Sequence, residues 1–592
     1  MSMKKLLITL ILTVLALALF SCNTNQSNLT DTSATDTSGA ADAADKEICI
    51  DASFTLIYPR GNSDMDAAYR FALLFEKATG DKLKPSLDTK TPTETDSREI
   101  VFGMTNREDL CPTDRTLFIA DAFSVKAVDN RIFVSAVSDA GYEAAFSYLF
   151  YEMLGIEDIN NMVKTDKAAT LSRELDYFGA PQGTLEENTT NSGVRYEVTG
   201  HSRKAYNYVE FESTVVYTFD GVGESFNCFT LKYSSETAIK GVITYKNNAQ
   251  TYTEEFFLES GASQSFVSLT DSALSSALSS DVTKLELTAL GAKSSCFRLE
   301  DLTLEKRTIP TEDTVYISDG KYKLGVKLTW GGGISYLEDL LDNDNSLTNL
   351  LNEHDTGRLV QQSYYGTNKA PYECGSYNGQ TWGYNPVQGG DQYNNRSKLV
   401  DFKVEENVIY VKCRPLDWAK NGEYTPSYME NTYTLQGGHI EVSNRFTDFS
   451  GYTHRNAHQE LPAFYTVSYL SEFVCYTGKN AWRDGELTVK SDLPFWAGNS
   501  NAYLNLSSSE TWCAWRAPNG YGVGVYTPVA DILLAGRFEY NGSKDAKNNA
   551  TNYVAPLITK TLKSYEPFEY TYYITTGSTD EIRNEFEEIA KK

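Results

Sequence analysis

Lys323-Leu-Gly-Val-Lys-Leu-Thr-Trp-Gly-Gly-Gly-Ile-Ser-Tyr-Leu337 reads as a glycine-rich pair of short strands. Strands then continue almost without interruption to the C-terminus. Asn407-Val-Ile-Tyr-Val-Lys412, His439-Ile-Glu-Val-Ser-Asn444 and Trp512-Cys-Ala-Trp-Arg516 are examples, and Pro518-Asn-Gly520 makes a tight turn into Val523-Gly-Val-Tyr526. Only the tail, Thr579 to Lys592, reads as a helix. Residues 309–592 are therefore expected to be all-β.

Upstream, residues 179–308 also alternate in the manner of strands, as in Ser225-Phe-Asn-Cys-Phe-Thr-Leu-Lys-Tyr233 and Glu254-Glu-Phe-Phe-Leu258, with turn residues between. These read as a β-sandwich. Residues 47–178 differ. Ala68, Phe71, Ala72, Phe75 and Ala78 recur at helical spacing between Asp64 and Thr79, and Gly80 closes the run. Gly141 to Leu154 gives a second helix, and short apolar strands such as Glu47–Asp51, Phe54–Tyr58 and Arg98–Gly103 complete an α/β pattern. The expected fold class is multidomain, a small α/β domain followed by two all-β domains.

The N-terminus carries a different signal. Lys4 and Lys5 precede a charge-free apolar run, Leu6 to Phe20, which ends in Ser21-Cys22. The run has the length of a signal-peptide core and is short for a membrane span. The phrase resembles the lipobox of bacterial lipoproteins, which implies cleavage before Cys22, a diacylglyceryl thioether on that cysteine, and attachment to the outside of the cell membrane. Residues 1–21 are then a signal peptide. Residues 22–46, poor in large apolar side chains, read as a flexible stalk.

The formal charge is −26. That offers no basic footprint for nucleic acid and would be repelled by an anionic lipid surface, so contact with the membrane is expected through the lipid alone. Besides Cys22, eight cysteines are scattered without a Cys-x-x-Cys pair, which argues against zinc-ribbon or thioredoxin chemistry, and most read as buried free thiols. The 39 tyrosines and 28 phenylalanines suit strands and also sugar-stacking surfaces.

Further resemblances point the same way. The Lys323–Leu337 stretch is similar to the start of galactose-mutarotase-like domains. The fold this implies for 309–592 is a β-supersandwich, which hosts sugar epimerases, polysaccharide lyases and accessory domains of glycosidases. Ala68-Tyr69 through Thr79-Gly80, Glu99-Ile-Val-Phe-Gly-Met-Thr-Asn-Arg107 and Gly141-Tyr-Glu-Ala-Ala145 through Leu154-Gly155 resemble the small N-terminal domain of family 20 β-hexosaminidases and bacterial α-glucuronidases. There it is an accessory domain without chemistry. Cys296-Phe-Arg-Leu-Glu-Asp-Leu-Thr-Leu304 resembles the closing strand of carbohydrate-binding jelly rolls. For that sandwich a spacer role stands beside sugar binding.

Three clusters in the last domain carry chemistry. In Asn352-Glu-His-Asp-Thr-Gly-Arg-Leu-Val-Gln-Gln-Ser-Tyr-Tyr-Gly366, Asp355 and Tyr365 are candidate proton-transfer groups. Arg358 offers a planar fork, and Gln361 and Gln362 both donate and accept as sugar hydroxyls require. In Trp382-Gly-Tyr-Asn-Pro-Val-Gln-Gly-Gly-Asp391, Trp382, Asn385, Gln388 and Asp391 are candidate sugar contacts in a shaped loop. In His454-Arg-Asn-Ala-His-Gln-Glu-Leu-Pro-Ala-Phe-Tyr465, strand alternation places His454, Asn456, His458 and Glu460 on one face and Leu461, Ala463 and Tyr465 on the other. His458 and Glu460 form the expected acid/base pair. No cofactor and no metal are called for. Arg358, Gln362, Asp391, His458 and Glu460 are expected to face one cavity. The function expected is a carbohydrate-active surface protein, a glycoside hydrolase or polysaccharide lyase acting on an oligo- or polysaccharide. A non-catalytic glycan-binding lipoprotein is the alternative.

Overall fold

The computed structural model describes residues 46–592 apart from 114–117, 180–187, 223–224, 248–249, 271–277, 343–347, 484, 486, 492, 496–502, 540 and 546–549. The signal segment, Cys22 and the stalk up to residue 45 lie outside the described residues. The described chain forms two compact units, one from residues 46–113, 124–135 and 143–178, the other from 114–123, 136–142 and 179–592.

The first unit is α/β. Thr55–Tyr58 pairs in parallel with Lys84–Leu87 and with Glu99–Phe102, inside a six-stranded sheet. The first helix, Asn62–Thr79, buries Ala68, Phe71, Phe75 and Ala78 at the expected spacing. It stops at Gly80, whose φ of 89° favours glycine. The Phe71 ring meets Phe102, Phe146 and Phe150 at centroid distances of 5.4–5.6 Å. Buried Glu99 is held between two buried guanidiniums, Arg107 at 2.8 Å and Arg131 at 3.0 Å.

In the second unit, residues 196–305 form two five-stranded antiparallel sheets. The Ser295–Glu305 strand is central in its sheet, between Tyr208–Phe211 and Cys228–Ser235. Phe211, Leu231 and Phe297 from one sheet pack against Tyr217, Ile243, Leu285 and Leu287 from the other. The observed order, a small α/β part and then two all-β parts, is the expected fold class.

The last part is built on two large antiparallel sheets. Nine strands run from the Lys398–Val404 edge to the Leu487–Lys490 edge. Seven more include Gln361–Ser363, Asn456–Val467, Thr551–Thr561 and Ile532–Phe538 as consecutive neighbours, with Gln361–Ser363 beside Asn456–Val467 and Ile532–Phe538 beyond Thr551–Thr561. Leu461, Phe464, Leu533, Ala535, Val554 and Ile558 from the seven-stranded sheet share one core with Val411, Tyr433, Phe446, Phe473, Trp515 and Tyr572 from the nine-stranded sheet. The C-terminal helix, Thr579–Ala590, starts on a capping box between Ser578 and Glu581 and seats Ile582 and Phe586 against Trp512 and Tyr526.

The glycine-rich stretch forms the expected pair, Tyr322–Lys327 with Gly333–Asp339. Its turn needs glycine for two reasons. Gly331 and Gly332 have φ of 56° and 73°, and a Cβ on Gly331 would lie 2.0 Å from the Gln388 carbonyl oxygen. The two β parts are joined by charge pairs between Glu254 and Lys398, Glu255 and Arg414, and Glu259 and Arg445.

Candidate functional site

One face of the seven-stranded sheet is committed to the core. Its other face carries Ala463, Tyr553, Ala555 and Leu557, with Tyr465, Ile532, Leu534 and Phe538 packed beside them. A cleft of about 530 Å³ opens on this second face. Its floor comes from the strands: Gln361, Ser363, Glu460, Tyr465 and Tyr553. Its walls come from loops that carry Asp355, Arg358 and Trp418 and from Trp382 at the end of the short strand Gln380–Trp382.

Glu460 is the centre of the floor's chemistry. It sits beside two phenols, Tyr365 and Tyr553, both of which favour its ionised form. Burial pushes the carboxyl above the ordinary glutamate range, and the two phenols only partly offset this. Both phenols are held well above their own usual value, chiefly by burial. Tyr365 therefore keeps its proton beside Glu460, which counts against the role of base for it. A third ring, Tyr465, packs on Tyr553 at 4.7 Å.

On the wall, Arg358 grips Asp355 through Nε at 3.1 Å and Nη2 at 2.8 Å, both to Oδ2. Asp355 Oδ1 in turn accepts the Gly357 N–H at 3.1 Å. The aromatic wall is Trp382, with Tyr365 and Tyr377 edge-on at 6.5 and 5.3 Å, and Trp418 beyond Tyr377 at 6.3 Å. The Trp382 indole N–H donates to Asn385 Oδ1 at 2.9 Å, and the Asn385 amide donates to the Tyr364 carbonyl at 2.7 Å. The indole is thereby fixed in orientation. Gln361 lines the cleft, but its amide already serves the loops: Nε2 reaches the Thr356 and Gly357 carbonyls, and Oε1 accepts the Gly389 N–H.

The structure thus brings Asp355, Arg358, Gln361, Tyr365, Trp382, Asn385 and Glu460 to one cleft. Four other expected site residues do not reach it. Gln362 is buried and bonds Asn431 and the Glu430 carbonyl, while its own Oε1 accepts the Tyr364 hydroxyl. Gln388 is buried and staples the Gly331 carbonyl to the Gln362 N–H. Asp391 organises its own loop, accepting the N–H groups of Tyr393, Asn395 and Gly422. Dense polar residues inside strand-rich sequence were here a sign of internal pairing, the other way of satisfying buried polar atoms. His458 lies two residues along the strand from Glu460, about 7 Å away. It is exposed and bonded to Thr559 Oγ1 at 2.9 Å.

The expected strand faces also change. Gln361 and Ser363 stand opposite Ala463 and Glu460, two steps on one strand against three on the other. The extra residue is a bulge. It returns Ala463 and Tyr465 to the same face as Glu460, while Leu461 and Phe464 turn into the core. Alternation alone had put Ala463 and Tyr465 on the opposite face. Tyr377, Trp418, Phe538, Glu539 and Tyr553 complete the cleft, and nothing in the sequence around them marked them out.

Behind the cleft lies a buried hub. Asp448 accepts from Tyr384 at 2.8 Å, from Ser450 at 2.6 Å, from Ser564, and from His454 Nε2 at 3.2 Å. His454 Nδ1 accepts the Thr367 N–H at 3.2 Å, which fixes the tautomer with its proton on Nε2. Asp448 therefore ties together the two loops that carry Tyr365 and Trp382. His454, expected to share a face with His458 and Glu460, is buried in this hub.

No family model and no curated protein matches the chain. Among solved structures it is similar to a putative aldose 1-epimerase from Escherichia coli K12, at 13% identity over 45% of this chain and 99% of that one, with a TM-score of 0.30. A galactose mutarotase-like protein from Lactobacillus casei is similar at 13% identity, 45% and 100% coverage, and a TM-score of 0.28. An alpha-galactosidase from Lactobacillus brevis is similar at 10% identity, 45% and 39% coverage, and a TM-score of 0.25. Likenesses this low assign the chain neither a fold family nor an activity.

Proposed function

We propose that the chain is a carbohydrate-active enzyme, with the cleft on the seven-stranded sheet as its site and glycoside hydrolysis as its reaction. The observation that carries this reading is the Glu460 carboxyl, pushed above its ordinary range beside two phenols on the floor of an aromatic-walled cleft. A binding module needs aromatics and amides, and has no use for a desolvated acid. Hydrolysis needs a protonated carboxyl beside the glycosidic oxygen and a carboxylate to activate water or stabilise the developing cation. Glu460 supplies the first, and Asp355, oriented by Arg358, supplies the second. Trp382, Tyr377 and Trp418 offer ring faces for stacking on sugar.

Elimination is the less favoured reaction. A lyase must neutralise a uronate carboxylate, and the one cation among the described lining residues, Arg358, is engaged with Asp355. Incubation of the purified chain with a glycan panel is expected to release new reducing ends without unsaturated products. Unsaturated products would make it a lyase. Tight binding to a glycan with no turnover anywhere in the panel would make it a capture protein and overturn the enzymatic reading.

We further propose that the protein acts at the cell surface, held by a lipid on Cys22. The charge-free run ending in Ser21-Cys22 supports this. Two acyl chains anchor durably because each buried CH₂ contributes about 0.8 kcal/mol. Cys22→Ser is expected to move the protein from the membrane fraction to the soluble one. Retention of the variant on membranes after a high-salt wash would refute the anchor.

A further inference from the structure

The Glu472–Tyr476 and Trp512–Arg516 strands are antiparallel neighbours near one edge of the nine-stranded sheet. Their register sets Cys475 directly opposite Cys513. Directly opposed residues point to the same face, and both cysteines belong to the core between the two large sheets. No other described strand cysteine faces a cysteine. Cys49 stands opposite Thr170, Cys228 opposite Leu269 and Glu305, Cys296 opposite Glu210, and Cys413 opposite Leu399 and Met429.

We propose that Cys475 and Cys513 are a disulfide site, closed while the protein folds in an oxidising compartment. Opposed residues of an antiparallel pair have Cα atoms about 4.5–5.5 Å apart. A disulfide bridges Cα separations of about 4.4–6.8 Å, so directly opposed positions suit one, although both sulfurs are unbonded in the structure. The bridge joins strands 38 positions apart in sequence, so it removes a long loop from the unfolded ensemble. The oxidant is a low-molecular-weight disulfide. One thiolate attacks it and expels one thiol, giving a mixed disulfide, and the second cysteine displaces the other thiol. Two protons and two electrons leave the protein, and the oxidant is reduced to two thiols.

Timing follows from burial. Both side chains are fully buried in the folded sheet, and burial pushes the Cys475 thiol up to about 12 and the Cys513 thiol well above its usual value. Folded thiols of that kind do not react, so the bond must form before the sheet closes. A chain folded in a reducing cytosol keeps both thiols, and one folded outside the cell does not.

The test compares the full chain directed to a bacterial periplasm with the same chain made in the cytosol. Each is unfolded, alkylated without reductant and digested with trypsin. Cleavage at Arg455, Lys479, Lys490 and Arg516 isolates the two cysteines on separate peptides, 456–479 and 491–516. The periplasmic protein is expected to yield these two peptides linked, with the linkage lost on reduction, and the cytosolic protein to yield both alkylated. Cys475→Ala and Cys513→Ala should each free the partner for alkylation. If export fails, unfolding the cytosolic chain and refolding it in mixed reduced and oxidised glutathione gives the same readout. Full alkylation of both peptides from oxidatively folded protein, or a bridge from either cysteine to a different one, overturns the proposal.

Discussion

Glu460→Gln is expected to lower turnover at least about a hundredfold while glycan binding stays within a few-fold of wild type. The amide keeps the shape beside Tyr365 and Tyr553, but it has no acidic proton to give. The pH profile carries the sharper test. Burial holds the Glu460 carboxyl above its ordinary range, so in the folded protein it keeps its proton at pH values where a solvated glutamate has lost it. Activity that needs this proton is therefore present below the raised pKa and declines as pH rises through it. The same sign holds for stability. The contribution linked to protonation is complete below the unfolded value and disappears as pH climbs past the folded one. Glu460→Gln should remove the alkaline limb that belongs to this group. Unchanged turnover in the variant, or an alkaline limb that persists unaltered in its residual activity, would end Glu460's assignment as the acid.

Asp448→Ala should be the most damaging change to stability in the C-terminal part, costing about 3–5 kcal/mol. The carboxylate has no solvent contact and accepts from three hydroxyls and an imidazole. Truncation leaves the Tyr384 hydroxyl, Ser450, Ser564 and His454 Nε2 without that acceptor in a dry interior, and each loses more than a solvent-exposed group would. Desolvation alone would raise this carboxyl's pKa. The His454 bond, with the serine bonds, reverses that and holds it below the usual range. Its stabilisation is thus present above the unfolded aspartate value and is lost as pH falls through the depressed folded one. The damage should extend to the cleft. A Cβ on Gly366 would come within 2.3 Å of His454 Nδ1, which measures how closely the Tyr365 loop rests on this hub. Tyr384 lies between Trp382 and Asn385 in the chain. Chemical unfolding should show the lowered midpoint, and glycan affinity should fall with it. A loss under about 1 kcal/mol would mean that water replaces the carboxylate and that the hub does not hold the loops.

The cleft residues differ in how far they could be read in advance. Asp355, Arg358, Tyr365, Trp382 and Glu460 stood out because sugar chemistry needs acids, a guanidinium and aromatic faces in dense polar phrases. Gln362, Gln388 and Asp391 stood out for the same reason and proved to be internal staples. A polar side chain in a strand-rich phrase satisfies its hydrogen bonds either on a solute or on a neighbouring loop, and composition is the same in both cases. Tyr553 and Trp418 carried no local sign, since their position depends on pairing across long stretches of chain.

The sequence by itself determined the succession of one α/β and two all-β parts, because the periods of 3.6 and 2 that bury an apolar face are written in local spacing. It also determined the strand pair around Gly331 and Gly332, where φ values of 56° and 73° require glycine. Only the tertiary structure decided which face of the Asn456–Val467 strand would hold the cleft. One bulged residue between Glu460 and Phe464 resets the alternation, and a bulge is fixed by the register against neighbouring strands. The same holds for the protonation of Glu460, which burial favours and the phenols of Tyr365 and Tyr553, almost a hundred residues away on either side, partly oppose.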